Sequence, residues 1–368
     1  MKTEQHAKRE PLIHITKKAA MPLWRAWIVR GIAIIAALIV CALLIVVMTG
    51  LNPVEVYKTM FEGSFSTSRK FWVLLQEIAM LLIIALAVTP AFVMRYWNLG
   101  AEGQVLAGGL ACTACMFYLK SAMSPTLLLI VMFAASILGG IIWAVIPAVF
   151  KARWNTNETL FTLMMNYVAI QLVSFMIAVW VPTGSGVLPI LNADTKMGWL
   201  PSIGDNKYLL NILIVAVVTV LMFIYLRYSK HGYEIAVVGE SPNTARYIGI
   251  NVKKVIVRTV ILSGALCGLS GFLLVSGTGH TISNNLAGGR GFTAVLVSWL
   301  AKFNPFVMVL TSFLIVFLQK GAGEIAMNFQ LDSSISDIVT GIILFFIIGC
   351  EFFINYQIHF RKASKEVA

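Results

Sequence analysis

Apolar residues in this 368-residue chain come in blocks of about 20, not in amphipathic stripes, and that block length matches the roughly 30 Å hydrocarbon core of a bilayer. Only 12% of the residues are charged and 59% are apolar, whereas a soluble domain carries about a quarter charged. The charges are too few to coat a water-facing surface of this size. Lipid offers the backbone no hydrogen bonds, so a span is either a helix or part of a closed barrel. The alternation of barrel strands is absent. The blocks predict an all-α integral membrane protein of about ten transmembrane helices, with approximate bounds 27–49, 71–93, 101–119, 125–150, 159–181, 209–226, 259–278, 290–302, 305–323 and 336–354.

The net charge of +12 does not point to nucleic acid, because no basic patch is interleaved with aromatics. Lys and Arg sit instead in the termini and in particular loops. Lys17, Lys18, Arg25 and Arg30 precede or open the first span. Lys151 and Arg153 mark one loop, Arg227, Lys230, Arg246, Lys253, Lys254 and Arg258 the largest, and Arg361, Lys362 and Lys365 the tail. The positive-inside rule places all of these in the cytoplasm. Loop 182–208 balances its charges and loop 324–337 is acidic, which suits the outside. The expected layout is a cytoplasmic tail 1–26, a membrane domain 27–354 with a cytoplasmic loop 227–258, and a cytoplasmic tail 355–368. The run after residue 26 is longer than a signal-peptide core and has no small-residue cleavage site. An eight-span layout with two re-entrant segments is the competing arrangement.

Two segments are poor spans. Residues 98–110 (NLGAEGQVLAGGL) open the third span with glycines and polar side chains, and 279–292 (GHTISNNLAGGRGF) precede an eighth span whose apolar part is too short to cross alone. Asn98 and Asn284 lie 186 residues apart, half the chain. Each motif opens the third span of a five-span half, and an odd number of spans per half inverts the second half. The pattern predicts an inverted five-helix repeat with a broken helix in each half, of the kind that lines a transporter's path. Glycines that merely let helices approach closely are the alternative. Cys41, Cys112, Cys115, Cys267 and Cys350 fall inside apolar blocks and read as small packing residues.

In the largest basic loop, Ser241 is a good N-cap, Pro242 suits the first helical position and Gly249 is a stop. The spacing predicts a helix over 242–248, about 10 Å long, preceded by Gly239 and Glu240 and carrying Ala245 and Arg246. A rigid capped helix there is suited to dock into a partner's groove; resting on lipid headgroups is the alternative.

GESPNTARYIGINVKKV (239–255) followed by LSGALCGLSGFLLVSG (262–277) resembles the permeases of the ribose and branched-chain amino acid type of ABC importer. NLGAEGQ (98–104) and NETLFTLMMNYVA (157–169) look like the subgroup that serves nucleoside importers with lipoprotein binding proteins, and GRGFTAVLVSWLAKFNP (289–305) is also similar. The resemblance runs from about residue 70 to 325, with the motifs in order. It implies a type II ABC importer-like fold, a second and related permease chain, two cytoplasmic ABC ATPases that bind ATP and Mg, and an external substrate-binding lipoprotein. It also implies that 242–248 is a coupling helix. Arg290 departs from the family pattern, where an uncharged residue is usual; Leu160 and Phe161 vary it conservatively.

The residues agree on one negative: no GxxxxGK[ST] is present, so the chain has no P-loop to cradle a nucleotide and no cofactor of its own is expected. Metal binding finds no ligand spacing. Ionisable residues at membrane depth usually face the bundle interior; the candidates are Glu77, Arg95, Glu102, His280 and Arg290. A substrate path is expected to involve Asn98, Glu102, Gln104, Asn166, Asn284, Asn285 and Arg290. Glu102 reads alternatively as a helix-start cap, Asn166 as interhelical packing and His280 as loop structure. The absent P-loop and the resemblance together imply a transport subunit and not an enzyme, and the resemblance implies purine nucleosides or else a simple sugar or a riboflavin-like solute as its cargo. A stand-alone ion-coupled transporter would suit the repeat but not the capped helix.

Overall fold

The computed structural model describes residues 13–17, 21–181, 187–204 and 206–360. In chain order its helices are α1 (Leu23–Thr49), α2 (Pro53–Phe65), α3 (Ser68–Val93), α4 (Ala101–Tyr118), α5 (Pro125–Trp154), α6 (Glu158–Trp180), α7 (Leu209–Tyr228) and α8 (Lys230–Glu240). They continue with α9 (Pro242–Tyr247), α10 (Val252–Phe272) extended by a π-helical turn over Leu273–Gly279, α11 (Arg290–Leu300), α12 (Pro305–Asn328) and α13 (Ser333–Asn355). Among the described residues, eight helices are long and apolar enough to cross a bilayer: α1, α3, α5, α6, α7, α10 with its extension, α12 and α13. The two weak spans are helical as well. α4 has 18 residues and α11 only 11, about 27 and 16 Å at 1.5 Å per residue. α11 therefore reaches only part of the way through a bilayer.

The chain divides into two compact units, Met1–Gly63 with Leu318–Ala368, and Ser64–Phe317. In the first, α1 packs along α13. Arg30 pairs with Glu351 across them, Nε to Oε1 at 2.8 Å. A half-buried pair of this kind can set register between two otherwise featureless apolar helices. The expected polar tails need correction here. α1 begins at Leu23 and not at 27, and IHITK (13–17) forms a strand β1 that pairs antiparallel with β2 (Tyr356–Phe360). Both five-residue stretches alternate apolar with polar residues, the strand pattern that a search for apolar blocks passes over.

In the second unit α3 and α10 are central. Their apolar windows are 72% and 78% buried, against 22–28% for α5, α6 and α7, whose remaining faces are apolar and suit lipid. α10 reaches α5 through glycine: a Cβ on Gly268 would lie 2.3 Å from the Ser136 carbonyl oxygen. The Ser136 hydroxyl sits 2.7 Å from the Gly268 carbonyl and 2.9 Å from that of Gly108 in α4. Small residues with one polar fastener are how helices associate where lipid removes the hydrophobic drive. α3 packs on α11 and α10 on α4, so each pairing crosses between the first half of the chain and the second.

The loop expected at 227–258 is mostly helical. α8 fills its first half, and α10 starts at Val252, where Asn251 accepts a hydrogen bond from the Lys254 amide at 3.1 Å. Lys253, Lys254 and Arg258 hide this first turn from a hydropathy reading.

Candidate functional site

Ser241 is the joint on which the first part of the site turns. Its amide closes α8 on the Val237 carbonyl at 3.1 Å, and its hydroxyl accepts from the Thr244 amide at 3.2 Å, starting α9. Pro242 takes the first helical position. Gly249 ends the element at φ +87°, and the Ile250 amide folds back on the Ala245 carbonyl at 2.9 Å. The predicted helix and both of its ends are present, one residue shorter.

α9 is a peg. Of its residues only Ala245 is buried, seated in a cluster with Ala91 and Met94 near the end of α3, Ala148 of α5 and Val252 and Val255 of α10. Tyr247 is 94% exposed, and Arg246 reaches no farther than Asn243, at 3.3 Å. Sequence reasoning named Arg246 and passed over Tyr247. Behind the peg, α8 rests directly on the end of α3: a Cβ on Gly239 would lie 2.1 Å from the Val93 carbonyl oxygen. Between them opens a cleft of about 430 Å³ lined by Arg95, Lys151, Arg153, Arg246 and Lys253, with Glu158 bound to Lys151 at 2.8 Å. Glu240 is exposed beside it. Near the base of α8, His231 lies within reach of the Tyr225 hydroxyl through Nδ1 and of Thr259 through Nε2. Burial, then Arg258, hold its pKa below the usual histidine value, so the ring joins three helices in its neutral form.

The second part of the site is where the two weak helices meet. The Glu102 carboxylate, in the first turn of α4, accepts from the amides of Gly289 at 2.9 Å and Gly291 at 2.8 Å. Glu102 thus caps α11, while no side-chain hydrogen bond caps the start of its own helix. A Cβ on Gly291 would lie 2.5 Å from the Glu102 amide nitrogen, so the two helix starts touch backbone to backbone, and two positive dipole ends share one carboxylate. Arg290, beside them, pairs with Glu77 of α3 and donates to the Ala287 carbonyl at 3.1 Å. Its charge is therefore matched inside the bundle.

The irregular stretch entering α4 is held by amide side chains. Asn98 accepts from Gln104 and from the Gly100 amide, each at 3.1 Å, and donates to Ser263 of α10 at 3.1 Å. Asn166 accepts from the Gly103 amide and donates to the Leu99 carbonyl, both at 2.8 Å. Asn98, Gln104 and Asn166 are buried, and their polar groups serve a non-helical backbone that lipid could not satisfy. Asn284 and Asn285 stay apart, exposed on the stretch before α11. The ring of His280, with an atypical φ of +52°, stacks on Trp199 at 3.6 Å, while its carbonyl accepts from Leu191 at 2.9 Å. Burial, then Lys207, press its pKa down to about 4. It staples a loop.

Comparison with known proteins places this arrangement. The glucose ABC transporter permease protein TsgB13 of Haloferax volcanii is 25% identical over 94% of this chain and 93% of its own length. The nucleoside ABC transporter permease protein NupB of Lactococcus lactis is 29% identical, covering 95% of this chain and 96% of that one. The guanosine ABC transporter permease protein NupP of Bacillus subtilis is 28% identical over 86% of this chain and 91% of its own. A family model described as branched-chain amino acid transport system / permease component matches residues 72–348. That span takes in the meeting helices, the crossed pairing and the capped peg alike, and the chain belongs to this family of ABC transporter permeases.

Proposed function

We propose that this chain is one permease subunit of a bacterial ABC importer that carries a nucleoside across the cytoplasmic membrane, both termini lying inside. The single observation that carries the reading is α9, a capped helix whose exposed Arg246 and Tyr247 stand on a buried Ala245. ATP and Mg belong to a cytoplasmic ABC ATPase that grips this peg. A second, related permease chain completes the path, and an external lipoprotein delivers solute. The convergence of Arg95, Lys151, Arg153, Arg246 and Lys253 on one cleft beside the peg supports a cytoplasmic position for that end. The nucleoside is favoured by two relatives named for nucleosides and for guanosine.

The test is uptake of labelled guanosine by cells expressing the chain with its ATPase, second permease and lipoprotein, in competition with unlabelled nucleosides or glucose. Competition by nucleosides alone is expected; uptake independent of the ATPase would overturn the permease reading. A glucose importer is the second reading, favoured by the Haloferax relative, and competition by glucose would select it.

A further inference from the structure

The two interrupted segments touch again at the far end of α11. Trp97, the residue before Asn98, and Trp299, near the end of α11, lie 5.5 Å apart with planes 25° from parallel. Phe92 meets both edge-on at 5.8 and 6.3 Å, and Phe303 stands 5.7 Å from Trp299. The two indoles are stacked and yet 44% and 48% exposed. They wall a cleft of about 420 Å³ whose other lining includes Arg95, Gly239 and Glu240. Tryptophans that anchor a protein at the headgroups lie in a belt facing lipid. This pair lines a cleft shared with α8, the helix that carries the peg.

Two features give the pair a mechanical character. The first is spacing. A flat ring held between two parallel rings needs about 7 Å from one to the other, twice the optimal carbon–carbon separation, so the pair is closed and a small parting opens it. The second is linkage. Gly239 of α8 bears directly on the Val93 carbonyl, and Val93 precedes Trp97 by one tight turn in which Arg95 takes φ +60°. Trp299, by contrast, hangs from α11, whose start is fixed by Glu102 and by the Arg290–Glu77 pair. Movement of α8 therefore acts on one indole while the other is anchored.

We infer that Trp97 and Trp299 form the inner gate of the solute path, stacked shut at rest and parted through α8, with the base of the nucleoside taking its place between the indoles as it passes. The inference rests on the permease reading, and its last clause on the nucleoside. Every base presents a flat π-face that stacks on tryptophan with little regard to sequence, so the gate passes purines and pyrimidines alike.

The test uses the whole importer in proteoliposomes. Trp97→Cys with Trp299→Cys, bridged by a short, reducible bifunctional thiol reagent, is expected to lower solute uptake about tenfold below that of the same variant unbridged, with recovery to the unbridged level on reduction; the parent complex treated alike is the control. Trp97→Leu and Trp299→Leu are expected to lower nucleoside uptake about tenfold at normal membrane levels, and Trp97→Phe to restore it to within about threefold. Unchanged uptake in the bridged complex overturns the gate. Unchanged nucleoside uptake in the double leucine variant overturns the stacking step. If the importer carries glucose and no nucleoside, the nucleoside reading fails by itself, and the thiol bridge still decides the gate.

Discussion

Both oxygens of Glu102 are taken by amides of another helix, which makes it a clasp between segments just over half a chain apart. Replacing it with Gln keeps one acceptor and turns an NH2 group toward the second amide. Hydrogen bonds to a charged group contribute about 1.5–3 kcal/mol each, so Glu102→Gln is expected to lower the melting temperature in detergent by several degrees while uptake stays within a few fold. Unchanged melting would remove the clasp; abolished uptake with normal insertion would move Glu102 into the solute path. His280 offers a titration. Its folded pKa of about 4 lies below the ordinary 6.5, so the folded state favours the neutral ring. That contribution is complete above pH 6.5 and is lost as pH falls through 4. Melting temperature should decline over this window in the parent and less steeply in His280→Gln; parallel slopes would contradict the assignment. The sequence announced Glu102 as a helix-start residue, because a carboxylate beside glycines is a local signal. Its partners Gly289 and Gly291 were not legible, since nothing local ties residue 102 to 289. Trp97 and Trp299 were passed over for a related reason: tryptophan near a span end is ordinary, and only tertiary packing brings these two together.

Among elements, the long apolar helices were legible because lipid imposes length and composition together. α4 and α11 were legible as anomalies, through their glycines and polar side chains. The β1–β2 ribbon and α8 were not, since short alternation and a charged amphipathic helix leave no apolar block. Close contact of α10 with α5 rests on a position that a side chain cannot share. Gly268→Val would drive a Cβ into the Ser136 carbonyl, only 2.3 Å away. Overpacking of this sort costs about 1–3 kcal/mol and sometimes more, and here the obstacle is backbone. A sharp fall in monodisperse protein after detergent extraction is expected. Gly341→Ala, with nothing within 4 Å of the added carbon, should behave as the parent. Equal yields from both variants would mean that this contact does not hold the helices.

At the scale of the molecule, α9, α8, the end of α3 and the paired tryptophans form one mechanical line from a protruding peg to a closed aromatic pair. The line begins at residues whose side chains do little for the fold, since Arg246 and Tyr247 are exposed. Arg246→Glu should therefore leave expression and melting unchanged while uptake falls at least tenfold and ATP hydrolysis by the complex no longer responds to solute. Normal uptake in that variant would separate the peg from coupling. The side of the membrane on which the peg stands decides more than any activity. With Tyr247, 94% exposed, replaced by Cys, a membrane-impermeant maleimide should label inverted vesicles well above the parent background and leave right-side-out vesicles unlabelled, and added ATPase should shield the site. Labelling of right-side-out vesicles would put α9 on the outer face, beyond the reach of any cytoplasmic ATPase.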